Sequence, residues 1–314
     1  MLRTTLRQLE VFVATAQKGS VTQAALTVGL TQSAASMALA DFESQLGTRL
    51  FDRIGRRLSL NDDGRALYAK AVEMMDRAQE MEGLFRRGQR GVDLRLGASS
   101  TIGNYLLPQL IGVFSANRPG SRIQLEVGNT QKIIDSVRNF EIDMGFVEGP
   151  CLAPEIDAIF WQPDELVICS APGHPLARQG SVDVAALRQA QWILRERGSG
   201  TREVVEQMLM SQIGEIQLAM ELGGTEAIKR AVESGMGISC LPRIAVTGAV
   251  ERGNLVCLPT PFLDLTRAFH ILLHKQKYRT EGIISLMAMC LDQQGLALAQ
   301  EPAHARRKRK SGAH

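Results

Sequence analysis

The sequence has no unbroken apolar run approaching the roughly 18 residues of a membrane span, and its five cysteines form no Cys-x-x-Cys pair. No transmembrane helix is therefore predicted, and the odd cysteine number favours buried free thiols over a disulfide framework. The HExxH, Walker A and GxGxxG motifs are also missing. We expect no metal and no cofactor. Charges are spread through the first 12 residues, which argues against a secretory signal and makes the cytoplasm the expected location.

Basic residues concentrate at the two ends of the chain. The first 91 residues carry 13 Lys or Arg and 10 Asp or Glu, and residues 301–314 carry five and one, although the whole chain has a formal charge of only +3. This distribution indicates a nucleic-acid-binding head on a mildly acidic body. Residues 294–314 are expected to form a disordered, solvated tail, whose basic run could add nonspecific affinity for phosphates.

Residues 1–60 show the periodicity of three short helices, at 5–18, 21–28 and 31–46. The second and third are joined by a turn that contains Gly29, as in a helix-turn-helix. The third helix opens with polar side chains that can bond bases or phosphates, which makes it the predicted recognition helix. These predicted DNA contacts are Thr31, Gln32, Ser33 and Ser36. From this pattern alone, a three-helix bundle with a solvated polar face is the alternative.

A basic hairpin follows the three helices. Two short strands are predicted, one at 50–51 and one at 58–60, around a turn that contains Gly55. This predicted wing carries Arg53, Arg56 and Arg57, which can hold phosphates or enter the minor groove. Hairpin tips are often charged for solubility, but a helix, a turn, a second helix and a basic wing in this order favour DNA binding.

A long helix is predicted from 62 to 87, with Asn61 as its cap. Its apolar residues recur at alternating steps of four and three, the spacing of a coiled-coil seam. The predicted dimerisation residues are Leu67, Ala71, Met74, Ala78, Met81 and Phe85. The alternative is a helix that lies on its own domain. A dimer would place two recognition helices on neighbouring faces of the DNA.

These motifs resemble the head of the LysR-type transcriptional regulators. The resemblance rests on Phe12, Gly19-Ser20, Ala24-Ala25, the Thr31-Gln32-Ser33-Ala34 opening, Leu46-Gly47, Leu50-Phe51, Arg53 and Gly64. It implies a winged helix-turn-helix DNA-binding domain at 1–60, a linker and dimerisation helix at 61–90, and an effector-binding domain at 91–293. The expected partners are double-stranded DNA, a small-molecule effector and further copies of the chain, as a homodimer and usually a homotetramer. RNA polymerase is a further candidate partner, and no membrane is expected.

The body alternates strand and helix patterns, which predicts an α/β domain with mainly parallel strands. Four strand-to-helix turns are rich in hydroxyl groups and glycine, and backbone N–H groups at such turns can bind an anion. These turns are Ser99-Ser100-Thr101, Gly128-Asn129-Thr130, Gly198-Ser199-Gly200-Thr201 and Gly223-Gly224-Thr225. Ordinary helix capping is the alternative for any one of them.

The body also resembles the LysR-type effector domain, in the branch related to regulators of sulfur assimilation and carbon fixation. That domain has two α/β lobes of the periplasmic-binding-protein type with the ligand between them, which places lobe I at about 91–163 and 267–293 and lobe II at about 164–266. By position, the resemblance implies effector contacts from Ser99, Ser100, Thr101, Thr130, Phe146, Ser199, Gly200, Thr201 and Thr225. A small anion or carboxylate is the expected effector, with Arg197 and Arg202 as candidate countercharges.

Two other classes of function compete with a regulator. A cytoplasmic solute-binding protein without a regulatory role would share the two-lobed body, but the complete winged head argues against it. An enzyme on the same body would need a nucleophile, base and acid grouping or a metal-ligand spacing, and the sequence has neither.

Overall fold

The computed structural model describes residues 3–55, 57–84, 91–149, 151–179 and 182–300. The head begins with three helices: α1 (Leu6–Lys18), α2 (Val21–Thr27) and α3 (Gln32–Leu46). Each begins where the sequence supplies a hydroxyl cap: Thr5, Ser20 and Thr31 each accept a hydrogen bond from a backbone N–H in the first turn. Gly19 and Gly47 end α1 and α3 in the left-handed conformation, with φ of 63° and 73°.

The wing consists of β1 (Phe51–Ile54) and β2 (Arg57–Leu60), paired antiparallel with Phe51 opposite Leu60. The strands run closer to the tip than predicted, and Gly55 at the turn has φ of 62°. Helix α4 (Asp62–Leu84) then leads away from the head. Its first turns close the core of the head, because Tyr68 and Val72 pack with Phe12, Phe42 and Phe51.

The body contains nine strands among the described residues, and they alternate with helices as predicted except that β6 follows β5, and β11 follows β10, without a helix between them. The strands are β3 (Asp93–Ser99), β4 (Arg122–Gly128), β5 (Met144–Glu148), β6 (Ile156–Ser170), β7 (Gln191–Arg195), β8 (Gln217–Leu222), β9 (Ser239–Pro242), β10 (Val256–Cys257) and β11 (Thr266–His274). The helices are α5 (Ser100–Tyr105), α6 (Leu107–Asn117), α7 (Thr130–Arg138), α8 (Val184–Gln189), α9 (Gly200–Val204), α10 (Met210–Ile213), α11 (Thr225–Glu233), α12 (Arg243–Glu251) and α13 (Glu281–Gln300). A 3₁₀ turn (Pro175–Arg178) precedes α8, and a π-helical segment (Val205–Leu209) joins α9 to α10.

The expectation of mainly parallel strands is wrong for half of this architecture. Strand β3 is parallel to β4 and β5, and β7 is parallel to β8, as strand–helix–strand connections require. Strands β6 and β11, however, are long and antiparallel to each other, and β11 is also antiparallel to β5. They run antiparallel because one carries the chain from lobe I into lobe II and the other carries it back. The predicted lobe boundaries fall on these two crossing strands.

Each lobe has its own hydrophobic core. In lobe I, β3, β5 and β11 bury Leu96, Phe146 and Ile271 against α5, α6 and α13. In lobe II, apolar side chains fill both faces of the sheet, around Trp192 on one face and Ile193 on the other. Neighbouring residues on β7 therefore serve opposite cores, as the alternation of a strand dictates. The lobes can thus keep their internal packing if they move against each other about the crossing strands.

Helix α13 extends beyond the predicted end of the body at 293, so the boundary of the tail is corrected. The helix continues to Gln300. Residues 294–300 contain no proline and several good helix formers, and the first proline after them is Pro302. Residues 301–314, with the basic run, lie outside the described residues.

The head packs directly against lobe I through Phe140. This residue joins the hydrophobic core of the head, where its ring lies 5.6 Å from Tyr68. Phe140 is the one described non-glycine residue with a positive φ, 54°. The Tyr68 hydroxyl donates to the carbonyl of Asn139 at 2.9 Å. At this junction, the backbone of Phe140 has a left-handed conformation that residues with bulky side chains rarely adopt.

A buried cluster of charges lies at the same junction. The Lys277 ammonium, 2% exposed, lies 2.6 Å from Asp76 on α4 and 2.9 Å from Asp143 in lobe I. Arg95 on β3 adds a bond of 2.9 Å to Asp143. Burying a charged group costs free energy unless the group is paired, so removing any member of this cluster would leave a buried charge with fewer partners. It ties the linker helix to the body.

Candidate functional sites

The predicted recognition helix presents its polar start to solvent. Thr31 caps α3 by accepting from the Ala34 N–H at 3.3 Å, and its hydroxyl lies 3.2 Å from that of Ser33. Gln32 is exposed and donates to the Ser36 hydroxyl at 2.9 Å. The internal bond holds the Gln32 amide over the helix face, where it could reach the edge of a base.

The wing places arginines beside this helix. Arg53 and Arg57 are both exposed, on opposite strands of the hairpin, and Arg49 is exposed just before it. No ion pair holds either Arg53 or Arg57 among the described residues. Arg56, the third predicted wing contact, lies outside the described residues. Exposed guanidinium groups next to a helix-turn-helix can bind DNA phosphates.

The predicted dimer seam on α4 needs one correction. Ala71 is 1% exposed and belongs to the core of its own head, and Leu67 packs half-buried against the same cluster. Ala71 is therefore not available to a partner helix, because this end of α4 completes the head. Farther along, Met74 is 51% exposed, Met81 is 63% exposed and Ala78 is half-buried, while Phe85 lies outside the described residues. The outer part of the seam stays a prediction.

We expect the double substitution Met74→Glu and Met81→Glu to dissociate a linker-helix dimer, because it would bring charges into an apolar seam. Sedimentation velocity of the full chain should then show a smaller species at concentrations where the wild type is assembled. Met236→Glu is the matched control, since Met236 is 55% exposed in lobe II. An unchanged sedimentation coefficient in the double variant would place the dimer contact elsewhere.

In the body, all four hydroxyl-rich turns meet between the lobes. The Gly200 N–H of lobe II donates to the Thr130 hydroxyl of lobe I at 3.1 Å, and the Gln131 N–H donates to the Gly198 carbonyl at 3.1 Å. The other two turns meet through Arg195, which donates to Thr225 at 3.1 Å and to Ser100 at 3.4 Å. Convergence of the four turns, which the sequence could not establish, is thus a feature of the fold.

The lobes approach each other closely at this point. A methyl group on Gly200 would lie 2.7 Å from both the Thr130 hydroxyl and the Glu148 carbonyl oxygen, closer than atoms can pack. The absence of a side chain at Gly200 therefore permits the contact. Thr130 also donates to the Glu148 carboxylate at 3.2 Å.

Two predicted effector contacts, Ser99 and Thr101, are buried with unused hydrogen-bonding capacity. The Ser99 hydroxyl, in a residue 2% exposed, and the Thr101 hydroxyl, in a residue 0% exposed, have no hydrogen-bond partner. Ser199, 2% exposed, stands before α9 without capping it through its side chain. Buried hydroxyls normally find a partner, so unpartnered ones in an interlobe site indicate groups that a ligand could satisfy.

Phe146 does not face the cleft, and its predicted role as an effector contact is corrected. Its side chain is 0% exposed and lies in the core of lobe I, with its ring 5.3 Å from Trp161. Phe146 and Glu148 share one face of β5 because side chains two residues apart point the same way. Glu148 sits at the end of the strand and reaches the cleft, whereas Phe146 lies one step back inside the lobe.

The arginines near the cleft differ in part from Arg197 and Arg202, the candidate countercharges from the sequence. Arg197 is exposed, and Arg202 is held by Glu206 at 2.5 Å and by the Arg195 carbonyl at 3.0 Å. Sequence reasoning missed Arg267 on β11, which donates to Thr201 at 3.0 Å and to Asp164 at 2.6 Å. Burial raises the pKa of Asp164 despite that guanidinium. Nothing in the periodicity of β11 marks Arg267 as internal, since a strand end with an arginine is usually solvated.

A further interlobe contact joins α5 of lobe I to α11 of lobe II. Tyr105 at the end of α5 donates to Glu226 on α11, and Lys229 reaches both the Tyr105 hydroxyl at 3.3 Å and the Glu226 carboxylate at 2.6 Å. Burial and the neighbouring Glu226 carboxylate raise the pKa of Tyr105. Tyr105 therefore stays a neutral donor, and the three side chains hold α5 against α11.

Both halves of the chain match domains of known proteins. Residues 6–65 match the bacterial regulatory helix-turn-helix protein of the lysR family, and residues 87–295 match the LysR substrate binding domain. The chain belongs to the LysR family. The resemblance seen in its motifs is thereby confirmed, and so is the fold class of a winged helix-turn-helix with a linker helix and a two-lobed α/β body.

Relatives of this LysR-type protein agree with that assignment. It is 46% identical over 286 residues to the uncharacterized HTH-type transcriptional regulator YeiE of Escherichia coli K12, an alignment that covers 91% of this chain and 97% of the relative. It is 29% identical over 278 residues to the RuBisCO operon transcriptional regulator of Allochromatium vinosum, which covers 88% and 92% of the two chains. The second match agrees with the predicted carbon-fixation branch.

Solved structures share the fold over most of the chain. Full-length OxyR from Pseudomonas aeruginosa superposes with a TM-score of 0.71 at 24% identity and covers 92% of this chain and 95% of that one. The regulatory domain of CcmR from Synechocystis PCC6803, in complex with 2-PG, has a TM-score of 0.60 at 28% identity and covers 64% and 96% of the two chains.

The LysR-type chain is therefore a DNA-binding transcription regulator and not an enzyme. A solute-binding role without regulation is not favoured, because the head matches the DNA-binding domain of the same family. None of the helices described for residues 3–300, outside the gaps given above, is both long enough and apolar enough to cross a membrane.

Proposed function

We propose that this LysR-type regulator binds a small anion, a sulfur oxyanion or a compact carboxylate, between its two lobes, and that the ligand alters how it binds DNA. The observation that carries the proposal is the pair of buried, unpartnered hydroxyls of Ser99 and Thr101 in the turn where the lobes meet. An anion accepts hydrogen bonds from neutral hydroxyl and N–H donors, so it suits a cleft of this composition.

The regulatory step follows from where the donors lie. Thr101 and Thr130 belong to lobe I, whereas Thr201 and Thr225 belong to lobe II. A ligand that contacts both sets binds the closed arrangement more tightly than an open one, so it shifts the population toward closure. CcmR, a structural relative, carries 2-PG in its regulatory domain, which supports a small ligand in this kind of domain.

Closure can reach the DNA-binding heads through the junction with lobe I. Lys277 follows β11, one of the strands that cross between the lobes, and it pairs with Asp76 on the linker helix. Movement of the lobes would therefore shift the position of the linker helix. That shift would alter the spacing between two heads in a dimer or tetramer. As a regulator of chromosomal DNA, the protein would act in the cytoplasm.

The experiment is a calorimetric titration of the full chain with sulfate, sulfite, acetate and glycolate. Thr101→Val removes one hydroxyl while keeping the shape of the side chain. Losing a hydrogen bond to a charged ligand costs about 1.5–3 kcal/mol, so binding should weaken by about tenfold to a hundredfold. Thr247→Val is the matched control, because Thr247 is exposed on α12 and bonds only to its own helix.

Two results would contradict the proposal. If no anion binds the wild type at concentrations up to several millimolar, the effector is of another class. If an anion binds Thr101→Val and wild type with equal affinity, the anion site is not in the interlobe turns.

A further inference from the structure

We infer that Arg267 is the cation that receives the effector anion, through its Nη2 group, at the point where β11 passes between the lobes. The inference rests on the proposed anion-binding function and assigns the charge that the hydroxyl-rich turns lack. It adds a ligand residue that neither the motifs nor the family match single out.

The hydrogen bonds of Arg267 leave one donor group unused. Its side chain is 2% exposed, its Nε bonds Asp164 at 2.6 Å, and its Nη1 bonds Thr201 at 3.0 Å. The Nη2 group is buried without a hydrogen-bond partner and lies 3.9 Å from the Glu148 carboxylate. Buried charged donors are almost always satisfied in folded proteins, so this group is suited to a ligand oxygen.

The other two buried arginines of the cleft already have hydrogen-bond partners within the protein. Arg195 holds both oxygens of Glu196, at 2.8 Å and 2.9 Å, and adds Thr225. Arg202 is held by Glu206 and by a backbone carbonyl. Neither has a buried guanidinium nitrogen without a partner among the described residues. An anion that replaced these contacts would have to break an existing ion pair, which Arg267 Nη2 does not require.

Arg267 also bridges the parts of the fold that move relative to each other. Asp164 lies on the crossing strand β6, Thr201 lies in the first turn of α9 in lobe II, and Glu148 ends β5 in lobe I. An anion on Nη2 would contact the guanidinium next to Thr201 and close to the Thr130–Glu148 pair. The anion bound to Arg267 would therefore lie next to residues of both lobes, so its affinity would depend on how the lobes are arranged.

The neighbouring carboxylates set the chemistry of the ligand. Asp164 and Glu148 both face the guanidinium, so an incoming anion competes with two fixed negative charges. A compact anion with several acceptor oxygens suits the planar, forked donors of arginine better than a large or diffuse one. Sulfate-like and carboxylate ions share this chemistry, and the titration distinguishes them.

The test compares three full-length proteins by calorimetry with sulfate, sulfite and glycolate as separate probes. Asp164→Asn removes one competing charge and keeps Arg267, so anion binding should tighten severalfold. Arg267→Gln combined with Asp164→Asn has the same net charge as the wild type and removes the Arg267–Asp164 pair as a unit, while Glu148 keeps its hydrogen bond from Thr130. Relative to Asp164→Asn alone, it should bind the anion about tenfold to a hundredfold more weakly.

The outcomes separate this inference from the function on which it rests. If the wild type binds a probe and the double variant binds it as tightly as Asp164→Asn, Arg267 is not the ligand, while the anion function stands. If the wild type binds none of the probes, the function itself fails. Should the double variant not fold by circular dichroism, Arg267→Lys with Asp164→Asn decides: it keeps the charge without the fork, and unchanged affinity would overturn the assignment.

Discussion

Lys277→Met is expected to lower the free energy of unfolding by about 3–5 kcal/mol, because it leaves buried carboxylates without their cation. The ammonium is 2% exposed and lies within 2.9 Å of both Asp76 and Asp143. Asp143 would keep Arg95, but Asp76 has no other cation within salt-bridge distance among the described residues. The loss should therefore fall mainly on the contact between the linker helix and lobe I.

Urea unfolding followed by circular dichroism measures this effect. The matched control is Lys275→Met, whose lysine is exposed only two residues away and should cost less than about 1 kcal/mol. Adding Asp76→Asn to Lys277→Met should recover part of the lost stability, since it removes the stranded charge. Equal losses in Lys275→Met and Lys277→Met would contradict the account of the junction.

The same cluster predicts that the free energy of unfolding falls in acid. Burial tends to raise the pKa of Asp143, but Lys277 and Arg95 outweigh it and hold that pKa below its ordinary value. A carboxyl group with a depressed folded-state pKa contributes stability above its unfolded pKa, about 3.9, and loses it as the pH falls through the folded pKa. For Asp76, burial exceeds the effect of Lys277 and raises the pKa, so Asp76 does not add to this acid sensitivity. Asp143→Asn should therefore flatten the loss of stability below about pH 4 in urea titrations at a series of pH values.

The double substitution Arg53→Ala and Arg57→Ala is expected to weaken binding to any duplex DNA by about a hundredfold or more. Both arginines are exposed on the wing, and a charged hydrogen bond to phosphate contributes about 1.5–3 kcal/mol. Losing two phosphate contacts should also reduce the slope of log affinity against log salt by about 2. Fluorescence anisotropy across a salt series measures both quantities.

Arg122→Ala with Arg252→Ala is the charge-matched control. Both of these arginines are exposed, in lobe I and lobe II respectively. Their removal changes the net charge of the chain by the same amount but leaves the wing intact. If the control loses as much affinity as the wing variant, net charge rather than contact by the wing explains the effect.

Gln32→Ala separates sequence reading from phosphate binding. A bidentate amide contact to adenine contributes about 1–3 kcal/mol of discrimination, so the variant should lose affinity on a duplex selected for tight binding and little on random DNA. Its salt slope should stay that of the wild type. Equal loss on both duplexes would show that Gln32 does not contact a base.

The head could be predicted closely from sequence because its determinants are local. Hydroxyl caps, glycine stops and helical periodicity fix α1 to α3 within a residue or two, and each of these signals lies within or next to a single helix. The seam on α4 was predicted less well. Periodicity shows that Ala71 has an apolar environment, but it cannot tell a partner helix from the chain's own core.

The interlobe site could be predicted only as far as the turns. The hydroxyl-rich sequences are visible, yet Thr130 and Gly200 meet across 70 positions of the chain. Arg267 and Thr201 are 66 positions apart, and Lys277 is 201 positions from Asp76. Such pairs depend on how β6 and β11 cross, and no local pattern encodes that geometry. Buried charges at long range are therefore the features that the structure adds.

The most direct test of the central claim is the affinity of the full-length protein for a selected duplex, measured by anisotropy with and without a saturating anion. Chloride at equal ionic strength must accompany each point, since salt alone weakens DNA binding. We predict that sulfate, sulfite or a small carboxylate changes the affinity of the wild type beyond the chloride reference, and that Thr101→Val loses this response while keeping its affinity in chloride. A wild type that responds to no anion, or a Thr101→Val variant that responds as fully as the wild type, would contradict the account.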